Sequence, residues 1–127
     1  MSISEQLQFN ADGHIPAIIV DDVSGQVLTL CYMDREALEK TLATGQVHVF
    51  RRSLGKLMKK GERSGHTQAV KEIYIDCEGM SLLIRVDQKV AACHKGYFNC
   101  YYTKYNPETG ATETIGERVF NPEDVYS

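Results

Sequence analysis

Three cysteines share a fixed frame in this chain: Asp76-Cys77-Glu78-Gly79, then Cys93-His94-Lys95-Gly96, then Cys100, spaced 16 and then seven positions apart. Thiolates select zinc and carboxylates select a hard cation such as magnesium, so two metal preferences are interleaved in one short stretch. Three protein ligands leave the fourth tetrahedral position of zinc open for water, which is what distinguishes a catalytic zinc from a structural one. His94 and Lys95 follow the second thiol directly and set a proton carrier and a cation beside whatever is held there. The same cysteines are also compatible with small buried core residues. Disulfides are a third use. The opening Met1-Ser2-Ile3-Ser4 has no basic and apolar leader, so a reducing cytoplasm is expected, where disulfides are rare. The two-residue cysteine spacings of common zinc modules are missing. Cys31 lies in the apolar run Val27–Met33 and reads as core.

A second set of residues is basic. Between Arg51 and His66 stand six cations (Arg51, Arg52, Lys56, Lys59, Lys60, Arg63) against one acid, Glu62. On a chain with a formal charge of −3 this local excess is a landing site for phosphates, or else a solvated hairpin. The overall charge argues against general nucleic-acid binding. Arg51, Arg52, Lys56 and Lys60 are the candidate phosphate contacts, arginine being the better fork for phosphate oxygens. His48 and His66 are candidates for contact with a base or phosphate, although a lone strand histidine is more often structural.

The elements that must position these groups are short. At 127 residues, 43% hydrophobic and 24% charged, the chain reads as one soluble domain over residues 1–127, with no apolar stretch as long as a membrane span. Met1–Asn10 is polar and expected to be frayed or loosely docked. Pro16–Val20 and Val27–Met33 flank a turn sequence and predict a hairpin. Asp34 caps a helix over Arg35–Ala43 that Gly45 stops. Gln46–Arg52 alternates, with Val47 and Val49 on one face and His48 and Phe50 on the other. Gly61–His66 is a loop with two glycines, a type that serves binding more often than packing. Gln68–Ile75 and Ser81–Val86 predict a hairpin with Cys77 at its tip. Tyr101–Tyr105 and Ala111–Val119 predict a last hairpin across Asn106–Gly110. The fold class is α+β, mainly sheet with one helix.

Several ordered blocks resemble the phosphoribosyl-AMP cyclohydrolase family of histidine biosynthesis, from about Phe9 to Tyr102. They are Asn10–Ala17, the strand-to-helix block Val27–Leu38, the central Ser53–Leu57 with Lys60-Gly61-Glu62 and Ser64-Gly65-His66, and the three cysteines in both spacings. The resemblance implies that Cys77, Cys93 and Cys100 are zinc thiolates. It also implies an intertwined homodimer with one zinc per subunit, each site taking its first thiolate from one subunit and two from the partner. Asp76 and Glu78 fall on two of three acidic positions that hold magnesium in the family. There the pattern is Asp-Cys-Asp-x-Asp, whereas this chain ends in Met80, a soft and uncharged thioether. Phe50 and Met58 stand where the family places tryptophan, and Arg51 and Arg63 replace smaller hydroxyl residues.

The implied reaction is hydrolytic: water attacks carbon 6 of an adenine ring alkylated at nitrogen 1, and the bond between them breaks. Zinc would lower the pKa of its water from 15.7 to roughly 7. His94 is the first candidate for shuttling that proton, with a thiolate-orienting role as its alternative. Lys95 is a candidate for stabilising developing charge or contacting phosphate, and His66 a further catalytic candidate. Two other readings stay open at this point. One is a relative on the same scaffold acting on a different nitrogen heterocycle; the other is a non-catalytic zinc-binding dimer.

Overall fold

Ile15, Ala17 and Ile19 alternate with less buried neighbours along strand β1, Ile15–Asp21, and all three are fully buried. The computed structural model describes residues 3–126, and in it β1 is one of two central strands. On one side β1 pairs antiparallel with β2, Val27–Met33, as the turn sequence between them predicts. On the other it pairs parallel with β6, Leu82–Gln88, in register from Ala17↔Leu82 to Asp21↔Val86. β6 pairs antiparallel with β5, Gln68–Ile75, which completes a sheet of order β2-β1-β6-β5.

Helix α1, Arg35–Thr44, follows β2. The Asp34 carboxylate accepts from the Ala37 N–H at 2.8 Å, and the Gly45 N–H donates to the Thr41 carbonyl, so both ends are capped where the sequence places them. The helix turns Ala37, Leu38 and Thr41 onto the core. A second hairpin, β3 (His48–Arg51) with β4 (Lys56–Lys59), packs against α1 and beside β2. Val47 and Val49 point inward while His48 and Phe50 remain half-buried, as the alternation predicts. Leu28, Met33, Leu38, Val47, Leu82, Ile84 and Val86 join β1 in one core. Each of these large side chains contributes about 1.5–3 kcal/mol by leaving water.

Three expectations need correction. Of the two alternatives for the N-terminal segment the docked one holds, and more firmly than expected: Ile3–Gln6 forms a 3-10 turn, Leu7 is buried, and the Gln8 N–H donates to the Gly79 carbonyl at 2.7 Å. Hydrophobic Leu7 and Phe9 anchor a stretch that composition alone marks as polar. (Met1 and Ser2 lie outside the described residues.) The last hairpin is shorter than expected, β7 being Thr103–Tyr105 and β8 only Thr112–Thr114, because its residues are exposed and Gly116 ends the extended run. A second helix, α2 (Pro122–Tyr126), follows it, one more helix than expected. The class remains α+β with sheet predominant.

The docked segment makes Gly79 indispensable. It adopts φ +71°, and a β-carbon there would run into the Gln6 carbonyl. Gly110 has a similar φ of +74° but open space around it. Gly79→Ala should therefore cost on the order of 2–3 kcal/mol in denaturant unfolding, and Gly110→Ala about 1 kcal/mol. Equal losses would mean that the Gln6–Gly79 contact does not hold the hairpin tip.

Candidate metal centre and its basic rim

A register shift between Ile19 and Val20 leaves Leu28 as the extra residue of a β-bulge in β2. Its freed carbonyl accepts the Cys100 N–H at 2.7 Å. Cys93 begins a tight turn closed by Gly96 N–H to Cys93 carbonyl (3.1 Å), and the Cys93 N–H returns to Tyr97 (3.2 Å). Gly96 has φ +101°, and any side chain there would strike the Phe120 carbonyl. The two constraints bring the Cys93 and Cys100 thiols close to each other, with Thr29 beside Cys100. The Lys95 N–H lies 3.4 Å from the Cys93 sulfur. Burial pushes the Cys100 thiol up, adjacent Cys93 adds to this, and Thr29 and Lys60 oppose it.

Cys77 is elsewhere. It is exposed at the β5–β6 tip, before Leu82, whereas Cys93 follows Gln88. The seven residues of β6 between them span roughly 20 Å. Among the described residues no three His, Cys, Asp or Glu side chains converge on a common point. Two thiols meet within the chain, and the third faces outward.

The tip is organised by Asp76. One of its carboxylate oxygens accepts from the Glu78 and Met80 N–H groups (3.1 and 2.8 Å), the other from the Ser81 hydroxyl (2.7 Å). The Ser81 bond above all, with the backbone donors, holds the Asp76 carboxyl below the usual range. Both oxygens are already engaged in closing the turn, and Met80 offers no hard ligand, so Glu78 is the one carboxylate not used by the turn itself. In this chain the tip therefore offers Asp76 and Glu78 as hard oxygen ligands and no third carboxylate.

Around Cys93 and Cys100 the structure gathers part of the basic set. Burial, then Lys95, Lys60 and Arg51, lower the His94 pKa, which places those three cations within electrostatic reach of its ring. Lys60 also acts on Cys31. Burial nevertheless pushes the Cys31 thiol up to about 12. Cys31 is half-buried against the core and its sulfur donates to the Ala17 carbonyl at 3.7 Å, close to its expected role.

The other basic candidates divide. The Arg52 guanidinium lies 3.6 Å above the Tyr32 ring, a stacking role. Lys56 is exposed at the far end of the β3–β4 hairpin from Lys60. The His48 ring nitrogen Nδ1 is 2.8 Å from the Gln46 carbonyl, the structural use expected of a strand histidine. Arg63 donates to the Tyr126 carbonyl at 2.8 Å. His66 meets the edge of Phe120, ring centroids 4.7 Å apart. Sequence reasoning missed Phe120 and Thr29, which carry no motif. It also missed an aromatic cleft of about 270 Å³ beside Cys100, where Tyr97 and Tyr102 stack at 4.0 Å; the tyrosine density of residues 97–105 was the available signal.

Residues 29–102 match the phosphoribosyl-AMP cyclohydrolase family. Relatives named phosphoribosyl-AMP cyclohydrolase include one from Pelotomaculum thermopropionicum, 45% identical, covering 96% of this chain and 94% of its own. One from Haloarcula marismortui is 49% identical over 94% and 96%, and one from Methanosarcina mazei 51% over 91% and 92%.

The His66 ring offers a test of the rim. Partial burial, then Lys89, lower its pKa from the ordinary 6.5. Between its folded value and 6.5 the unfolded chain binds more protons, so this contribution to stability is present above 6.5 and is lost as pH falls through that window. An NMR titration should place the His66 midpoint below 6.5, and Lys89→Ala should raise it. A midpoint above 6.5 would contradict the arrangement.

Proposed function

The chain belongs to the phosphoribosyl-AMP cyclohydrolase family, and we propose that it opens the adenine ring of phosphoribosyl-AMP by hydrolysis, as a zinc-dependent homodimer in the cytoplasm. The observation that carries this reading is the pair of adjacent thiols, Cys93 and Cys100, under a rim of Arg51, Lys60 and His94. Relatives 45–51% identical over more than nine-tenths of the chain favour the family's own substrate over a different heterocycle.

Two soft, adjacent thiols with a backbone N–H on one sulfur suit zinc, and Cys77 of a second subunit would supply the third. When bound, zinc supplies the Lewis acidity that makes water a nucleophile near neutral pH. The chain's own groups do the rest. His94, one residue past Cys93, accepts the proton released as water adds to carbon 6. It returns that proton to the ring nitrogen as the bond from carbon 6 to nitrogen 1 breaks. Arg51 and Lys60 hold phosphate, with Lys95 beside them. The aromatic cleft at Tyr97 and Tyr102 offers a flat wall for the base. Magnesium is not needed in this reading, given how Asp76 is used.

Assembly has its own support. Leu30, Ile18, Leu83 and Tyr74 are register partners across all four strands, on the sheet face away from the core. Leu30 and Tyr74 keep 43% and 49% of their surface exposed. An apolar row of this kind is suited to a second copy. No helix among the described residues is long and apolar enough to cross a membrane.

Purified protein should carry one zinc per chain and turn over phosphoribosyl-AMP at the same rate with and without magnesium. Cys93→Ser should abolish zinc and lower turnover by at least roughly 100-fold, the upper range for outer-shell changes alone. Cys31→Ser should leave zinc in place. Full zinc in Cys93→Ser would overturn the ligand assignment, and strictly magnesium-dependent turnover would overturn the role given to Asp76.

A further inference from the structure

Val90 is the sole non-glycine among the described residues with a positive φ, +61°. A β-branched side chain is strained there. The Ala91 N–H donates to the Lys89 carbonyl at 2.8 Å, so Lys89-Val90-Ala91 is a γ-turn of the rare, positive-φ kind. Immediately after Val90 come Ala91, Ala92 and Cys93, all buried. Such a turn persists only where its surroundings over-determine it.

The surroundings are one buried amide. The Gln88 side-chain NH2 donates to the carbonyls on both sides of Val90, Lys89 and Ala91, at 3.1 Å each, and reaches the His66 carbonyl at 3.4 Å. Its oxygen accepts from the Gln68 amide at 2.7 Å, which fixes the orientation of the Gln88 group. Gln68 is fully buried and its own oxygen has no partner, a cost that an apolar residue at this core position would avoid. On the opposite side the Lys89 N–H donates to the Thr67 carbonyl at 3.0 Å. The amide therefore ties the end of the basic loop, at His66, to the turn that delivers Cys93.

We propose that Gln88, oriented by Gln68, is a positioning residue for the metal centre: it holds Val90 in the γ-turn and thereby sets the place of the Cys93 thiol relative to Cys100 and of His66 relative to both. This rests on the reading of Cys93 as a zinc ligand. Gln88 touches neither substrate nor metal; it acts through the backbone. A glycine at position 90 adopts positive φ without strain, so it needs the clamp less than valine does.

The experiment compares Gln88→Met, Val90→Gly and the double variant as zinc-loaded protein. Zinc release to excess chelator is followed first. Alkylation of Cys93 in metal-stripped protein is then mapped by mass spectrometry, with exposed Cys77 as the reference. Gln88→Met should release zinc and expose Cys93 about 10-fold faster, in the range typical of outer-shell changes, without altering Cys77. The double variant should recover most of that loss, because the turn then forms unaided. Val90→Gly alone should keep its zinc and melt at a higher temperature. Unchanged zinc release and Cys93 reactivity in Gln88→Met would overturn the proposal, as would an equal defect in the double variant. If Gln88→Met does not fold, Val90→Gly decides: a thermal midpoint at or below that of the unsubstituted protein overturns it. Absence of zinc from the unsubstituted protein would end the metal-centre reading, while the alkylation and melting results still judge the clamp.

Discussion

The parallel pairing of β1 with β6 is the constraint on which the rest of the structure depends. Parallel neighbours cannot be joined by a tight turn, so a long stretch of chain must lie between them. Here that stretch holds β2, α1, the β3–β4 hairpin and β5, and it brings the basic hairpin beside β2 and near Cys100. The same pairing makes β6 a rigid spacer. The acidic tip with Cys77 leads into one end of it and the Cys93 loop leaves from the other. Cys77 and the Cys93–Cys100 pair are thereby held apart within one chain, which is why the proposed three-thiolate site calls for a second copy.

How local a signal is decides how legible it was. Caps, turns and alternation act within a few residues, and Asp34, Gly45 and the Val47/Val49 face were readable for that reason. So was the β5–β6 hairpin that exposes Cys77. The β1–β6 contact is non-local and leaves no periodicity to read. The docking of Leu7 against the tip depends on a carbonyl at Gly79, far along the chain. Among the site residues, the thiols announce themselves by type and spacing, while Gln68, Gln88 and Phe120 are ordinary residues whose roles come from burial and aim. The basic run was visible as charge, but only tertiary placement separates Lys60 and Arg51, near His94, from Arg52, which stacks on Tyr32.

Charge and burial divide the cysteines by function. Cys31 is half-buried against the core, where burial raises its pKa and its sulfur donates to the Ala17 carbonyl. Cys93 and Cys100 sit side by side, and a metal is the simplest way to carry two adjacent thiolates out of water. Asp76, which resembles a metal carboxylate by sequence, also closes the turn that presents Cys77. One carboxylate serving as a turn cap explains how the tip keeps its shape with Met80 in place of an acid.

The most direct test of a site shared between subunits mixes two inactive chains, Cys77→Ser and Cys93→Ser. In their heterodimer one site regains all three thiolates while the other loses two. With random exchange of equal amounts, roughly a quarter of the unsubstituted activity and zinc should return, since half the dimers are mixed and each has one intact site. No recovery after verified subunit exchange would show that the three thiolates come from one chain, and would contradict the account.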